Sequence, residues 1–215
     1  MTELISADAA AYAEEHTTGL SGQLAEVAAW TQANTDAPQM MAGVAEARLL
    51  QALIVAGGAQ RVLEIGTFTG LGALTMAAAL PPGGRVTTLE LDPDRAARAQ
   101  QFFDQSPVGE RIELIVGPAL QTVEGLSGPF DLVWIDALKS EYPAYYDAVM
   151  PKLAERGVIV ADNLFRAGRA LEPQTGDEMS AGIREFARRV QDDDRLDNVL
   201  LTVGDGLMLA WRRPA

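Results

Sequence analysis

"RVLEIGTFTGLGALTM", residues 61–76, decides the fold. Its first five residues read as a short buried strand. Gly66 then ends the strand, and small apolar residues at helical spacing begin near Gly70. Strand, glycine turn and helix make half of a βαβ unit. The turn is not a dinucleotide cradle. That cradle needs G-x-G-x-x-G, whereas the glycines here stand at 66, 70 and 72, spaced four and then two. No Gly-Lys-Ser/Thr follows, which also excludes a P-loop. What remains is an acid on the strand, Glu64, and a turn at Gly66 where backbone can approach a ligand closely.

The same alternation continues downstream. "RVTTLEL" (85–91), "RIELIVG" (111–117), "FDLVWID" (130–136) and "GVIVADN" (157–163) read as strands. Between them "DPDRAARAQQFFDQS" (92–106), "PALQTVEGL" (118–126) and "SEYPAYYDAVMPKL" (140–153) read as helices. A polar loop and the helix "EMSAGIREFARRV" (178–190) follow, then "NVLLTV" (198–203) and "LMLAWRR" (207–213) about a "GDG" turn, a hairpin. Upstream, 1–56 reads as a helical region with breaks near Gly19–Gly22 and at 36–38. Such alternation predicts an α/β fold. The expected sheet is Rossmann-like, doubly wound and mostly parallel, with a C-terminal antiparallel hairpin and helices on both faces. One domain over 1–215 is the expectation from length.

Bulk composition narrows the function. The net charge of -13 repels nucleic acid and anionic lipid, so neither is expected as a partner. There are no cysteines, which removes disulfides, thiolate metal sites and a cysteine nucleophile and suits the cytoplasm. The first residues carry neither a basic n-region nor an apolar h-region, and no run of about 18 uncharged apolar residues predicts a membrane span.

In an open α/β sheet, ligands bind at the carboxyl ends of the strands. Glu90 ends the second strand, a position from which an acid grips ribose hydroxyls. Asp136 ends the fourth strand, and Asp162 with Asn163 the fifth. Two carboxylates and an amide are three hard oxygen donors, suited to Mg²⁺, and they leave about three of six positions for a substrate and water. Lys139 follows Asp136 by three residues and could take a hydroxyl proton beside such a cation. Other readings stay open for each residue alone: an Asp at a strand end is often a helix N-cap, Asp-Asn opens turns, and a lysine is most often solvated.

"VLEIGTFTGLGAL", "FDLVWIDALKSEYPAYYDAVMPKL", "GVIVADN" and "VGDGLMLAWRR", in this order and spacing, resemble the cation-dependent class I O-methyltransferases. These are the catechol and caffeoyl-CoA O-methyltransferases and their small bacterial relatives. The resemblance covers roughly 40–213. It implies S-adenosylmethionine (SAM) as cofactor, a divalent cation such as Mg²⁺, and methyl transfer to one hydroxyl of a vicinal dihydroxy aromatic. It assigns Glu64, Gly66 and Gly70 to the cofactor loop, with Thr67, Phe68 and Gly72 beside them, Glu90 to the ribose, and Met40 and Ala119 to the flanks. Asp136 falls in both the cofactor and the metal sets. Asp162 and Asn163 complete the metal ligands, and Lys139 is the general base. A homodimer is implied by the resemblance alone. Two positions depart from the pattern: Gly72 stands where the family usually has a serine that helps hold the cofactor carboxylate, and Leu138 where many members have an acid. Competing readings are a nicotinamide-dependent oxidoreductase, against which the glycine spacing stands, and a cofactor-binding protein without catalysis.

Smaller features read as structural. His16 is expected at the surface or in packing, Trp134 and Ile135 in the core, and Tyr142, Tyr145 and Tyr146 in packing. Asp205 is expected to shape the "GDG" turn, and the acids of "RVQDDDRLD" to face water. The loop 164–180 is expected to cover the substrate, with Arg166 and Arg169 either contacting an anionic tail or simply exposed.

Overall fold

The computed structural model of the chain describes residues 6–172 and 176–213. Its seven strands are β1 (Arg61–Ile65), β2 (Arg85–Glu90), β3 (Ile112–Val116), β4 (Phe130–Ile135), β5 (Leu153–Ala161), β6 (Leu196–Leu201) and β7 (Leu207–Arg212). They form one sheet in the order β3-β2-β1-β4-β5-β7-β6. The first five strands pair in parallel, and β7 runs antiparallel to both β5 and β6. The closing hairpin therefore docks by its second strand, leaving β6 at the edge.

Among the described residues the α-helices are α1 (Ala7–Glu15), α2 (Gln23–Asn34), α3 (Val44–Gly57), α4 (Leu71–Ala79), α5 (Pro93–Asp104), α6 (Ala119–Gly125), α7 (Tyr142–Val149) and α8 (Glu178–Asp192). Strand side chains alternate between faces, so each strand feeds two cores. Val62, Leu132 and Trp134 pack with Val27, Leu50, Leu74 and Phe103 from α2 to α5. Leu63, Ile65, Val133 and Ile135 pack with Val123, Tyr142 and Ile183 from α6 to α8. Helices on both faces are the doubly wound arrangement expected. The chain turns one way from β1 to β2 and β3, and the other way to β4 and β5. The switch point therefore lies between β1 and β4, whose carboxyl ends carry Gly66 and Asp136.

Several boundaries differ from expectation. The region upstream of 56 is three helices, the first starting after residues 1–5, which lie outside the described residues. Helix α7 stops at Val149, since Pro151 closes it into a tighter turn. Strand β5 starts at Leu153, four residues before the expected strand 157–163 and on the last residue of the expected helix 140–153. Its first residues pair with Phe130 across a register shift and leave Glu155 and Arg156 exposed, so no apolar alternation announces them. Strand β6 also starts two residues early, at Leu196. Pro38–Gly57 has the length and mean hydropathy, 1.4, of a membrane span by composition alone. It carries Glu46 and Arg48, is interrupted between Met41 and Gly43, and buries Ala47, Leu50 and Ile54 in the core.

Candidate active site

At the switch point the sheet opens a cleft of about 1650 Å³, with a smaller recess beside it. The glycine turn forms one wall. Gly66 has φ 104°, where only glycine is unstrained, and both Gly66 and Thr67 donate backbone N–H bonds to Leu89 of β2, at 3.0 and 3.1 Å. This ties the turn to the end of β2. There the Glu90 carboxylate accepts N–H bonds from Phe68 (2.7 Å), Leu91 (3.1 Å) and Asp92 (3.0 Å). Glu90 is thus fixed and charge-compensated by backbone donors while it still lines the cleft. Phe68, also at positive φ, lies under the Arg95 guanidinium. Met40 lines cleft and recess, and Ala119, the first residue of α6, lines the cleft.

Glu64 is buried at the back of the recess. Thr88 donates to it at 2.5 Å, and Thr67 bonds Thr88 at 2.5 Å. Burial pushes the Glu64 carboxyl up to about 8, aided by the charges of Asp136 and Glu90, against the lowering effect of the Thr88 bond. Gly72 faces this carboxyl so closely that a Cβ there would overlap Glu64 Oε1. The departure at 72 is therefore coupled to Glu64: the missing side chain is the space the acid occupies. Gly70 lines neither cavity. It caps α4 at φ 93°, and a Cβ on it would meet the Phe103 ring at 2.6 Å, so its place is in turning and packing.

The oxygen cluster adjoins the glycine turn on the neighbouring strand ends. Asp136 N donates to Ile65 O at 2.9 Å and Asp162 N to Ile135 O at 3.0 Å, so the three strand ends advance in step. Asp136 and Asn163 line the cleft, while Asp162 is buried behind them, its Oδ1 accepting from Asn163 N at 2.6 Å. Asn163 takes φ 57°, a left-handed conformation that asparagine tolerates. Burial holds the Asp162 carboxyl well above the usual carboxylate range, and the charge of Asp136 adds to this. Glu46, buried in the first turn of α3, contributes in the same direction, though sequence reasoning had not placed it near the site. Among the described residues no three Asp, Glu or His side chains converge as a metal cage, so the candidate set is two carboxylates and one amide.

Lys139 Nζ donates to Asp136 Oδ1 at 2.7 Å and to Tyr142 Oη at 2.8 Å. Tyr142 Oη in turn lies 3.1 Å from both Ile135 O and Asp162 O. Tyr142 is packed in the core as expected, but its hydroxyl also anchors the lysine. Burial, with the charges of Asp136 and Asp162, keeps this phenol protonated far above its ordinary range.

The covering loop departs from expectation in its charges. Arg166 pairs with Asp177, the N-cap of α8, and with Ser180 at 3.1 Å, so it is a latch between loop and helix. Asp205 does more than shape a turn: its carboxylate accepts from Ala167 N at 2.8 Å and pins the loop following Asn163. Residues 173–175 of this loop lie outside the described residues. Nor do all the acids of 190–197 face water. Asp193 is largely covered, accepting from Tyr146 Oη at 2.5 Å and pairing with Arg195. His16 is at the surface, stacked on Tyr12.

Comparison with known proteins agrees with this geometry. Residues 14–213 match the O-methyltransferase family. Catechol O-methyltransferase of Mycobacterium tuberculosis is 38% identical over 183 residues, covering 82% of each chain. Among solved structures, the O-methyltransferase TomG from Streptomyces achromogenes in complex with SAM superposes with a TM-score of 0.87 at 28% identity over 96% of both chains. The O-methyltransferase from Bacillus cereus in complex with SAH gives 0.88 at 28% identity over 96% of this chain and 97% of that one. A non-catalytic protein or a nicotinamide enzyme finds no support in these relatives. With a doubly wound sheet, a glycine turn at its switch point and these relatives, the chain belongs to the O-methyltransferase family and is a SAM-dependent O-methyltransferase.

Proposed function

We propose that this enzyme is a divalent-cation-dependent O-methyltransferase, with Mg²⁺ the preferred ion, acting on one hydroxyl of a vicinal dihydroxy aromatic. The observation that carries this reading is the placement of Lys139 and Asp136 together, 2.7 Å apart, with the Asp136 main chain packed against Gly66 of the cofactor turn. The donor set fits a hard cation: it is all oxygen, and the ionised form of Asp162 is disfavoured by burial and then by the charge of Asp136, both of which a cation would offset. Asp136, Asp162 and Asn163 would hold it.

In the cofactor half, Glu64, Gly66, Thr67, Phe68, Gly70 and Gly72 build the turn and the recess, Glu90 accepts from the ribose hydroxyls, and Met40 and Ala119 flank the ligand. Asp136 borders both halves. Bound there, SAM supplies a methyl group on positive sulfur, and the cation supplies charge that favours the ionised phenol. Lys139 takes the hydroxyl proton at Nζ. In the neutral amine form that a base requires, its two N–H bonds go to Asp136 and Tyr142, which leaves its lone pair for the substrate's proton. Transfer of that methyl to the substrate oxygen would leave the C–S bonding pair on sulfur, as S-adenosylhomocysteine, and the hydroxyl proton on Lys139. Tyr142 is a positioning residue, held to main-chain carbonyls of β4 and Asp162.

Residues 1–215 are proposed as one methyltransferase domain with 1–56 as a helical N-terminal region. A homodimer and a cytoplasmic location rest on the resemblance and composition, and the charge of -13 supports a small-molecule substrate over nucleic acid or membrane lipid. Turnover of catechol with SAM, with and without a chelator, tests the reading: undiminished turnover in excess EDTA would overturn the cation role.

A further inference from the structure

Among the exposed large apolar side chains that line the cleft are four from different elements. Met40 comes from the turn before α3, Leu138 from the loop after β4, Leu171 from the covering loop and Met179 from the first turn of α8. They are 48%, 45%, 55% and 37% exposed. Such surface is unfavourable in water, and its convergence from four elements on one concavity marks a ligand's place.

The charges that line the same cleft point the same way. A polyanionic substrate needs cations that can turn to it, and those here are already engaged. Lys139 faces Asp136 and Tyr142, Arg166 faces Asp177 and Ser180, and Arg95 lies over Phe68 and 3.7 Å from Asp92. Arg169 has partners as well. Glu141, Glu172 and Asp205 add acid to the lining. Within a chain of net charge -13, this field opposes phosphates and carboxylates.

We infer that the substrate is a vicinal dihydroxy aromatic bearing an uncharged apolar substituent of several carbons, which lies against Leu138, Met40, Leu171 and Met179, and that coenzyme A thioesters are rejected. The inference rests on the catechol reading proposed above and narrows it. Leu138 is the residue to test, since it follows Asp136 by two residues and lines the cleft at 45% exposure.

The test is a series of catechol and 4-ethyl-, 4-butyl- and 4-hexylcatechol, with caffeoyl-CoA alongside, assayed with SAM and Mg²⁺. The value of kcat/KM rises about threefold to fourfold per added methylene until the apolar lining is covered, as burial of each such group predicts. Caffeoyl-CoA falls about 100-fold or more below hexylcatechol. Leu138→Asp lowers kcat/KM for hexylcatechol about tenfold more than for catechol, a ratio that loss of folded protein would leave unchanged. A flat alkyl series, or caffeoyl-CoA preferred over every alkylcatechol, overturns the inference while the catechol reading stands. Binding of SAM with no methylation of any catechol overturns both.

Discussion

The α-carbon of Gly66 faces the carbonyl oxygen of Asp136 so closely that a Cβ on Gly66 would overlap it. The cofactor turn and the oxygen cluster are therefore one packed unit across the switch point. A change to either moves the other.

Gly66→Ala should then lose both functions at once. The substitution forces a side chain onto φ 104° and into a backbone carbonyl, at about 2–4 kcal/mol for left-handed strain plus overpacking. Thermal unfolding should show the loss of stability, and calorimetry a SAM affinity at least tenfold weaker. Unchanged affinity would mean that the turn does not border the cofactor.

Lys139→Ala should lower kcat by about 10²–10⁴, the usual contribution of a positioned base, while SAM affinity stays within about twofold. Tyr142→Phe removes one hydrogen bond to the lysine and should lower kcat by about twofold to tenfold, as a bond worth about 0.5–1.5 kcal/mol implies. Its defect should shrink with 4-nitrocatechol, whose hydroxyl ionises without help. A defect equal for all catechols would assign Tyr142 to packing alone.

The buried acids set a pH dependence. Glu64 ionises at about 8 in the fold and at 4.5 in a model compound, so the folded state binds more protons than the unfolded one between these values. Stability of the ligand-free protein should therefore fall as pH rises through that window, by up to about 1.4 kcal/mol per pH unit, with Asp162 contributing in the same direction. Denaturant melts between pH 5.5 and 8.5 would show this. The slope should be flattened in Glu64→Gln, and a stability that rises with pH would contradict the assignment.

The fold was legible because the parallel strands are short, mostly apolar and β-branched segments set between helical ones, each closed by glycine or an acid where the sheet opens. The missed start of β5 has a plain cause: "LAERG" is half exposed and pairs across a bulge, so it lacks an apolar signature. Of the site, the strand-end residues were readable because their position along the strand determines their place. Tyr142 was not, since a tyrosine three residues past a lysine reads as helix packing until Ile135 and Asp162 bring their carbonyls to its hydroxyl. Glu46 and the Gly72–Glu64 contact depend on α3 and α4 meeting the strand ends, which no local pattern encodes.

The central claim is that Asp136, Asp162 and Asn163 hold a cation on which methyl transfer depends. The most direct measurement is the rate of catechol methylation by the wild-type enzyme and by Asp162→Ala, each chelated and then titrated with Mg²⁺. The account predicts that chelated wild-type enzyme is inactive and recovers with saturable Mg²⁺ dependence, and that Asp162→Ala needs at least tenfold more Mg²⁺ for half its maximal rate. Full turnover of the chelated wild-type enzyme would contradict it.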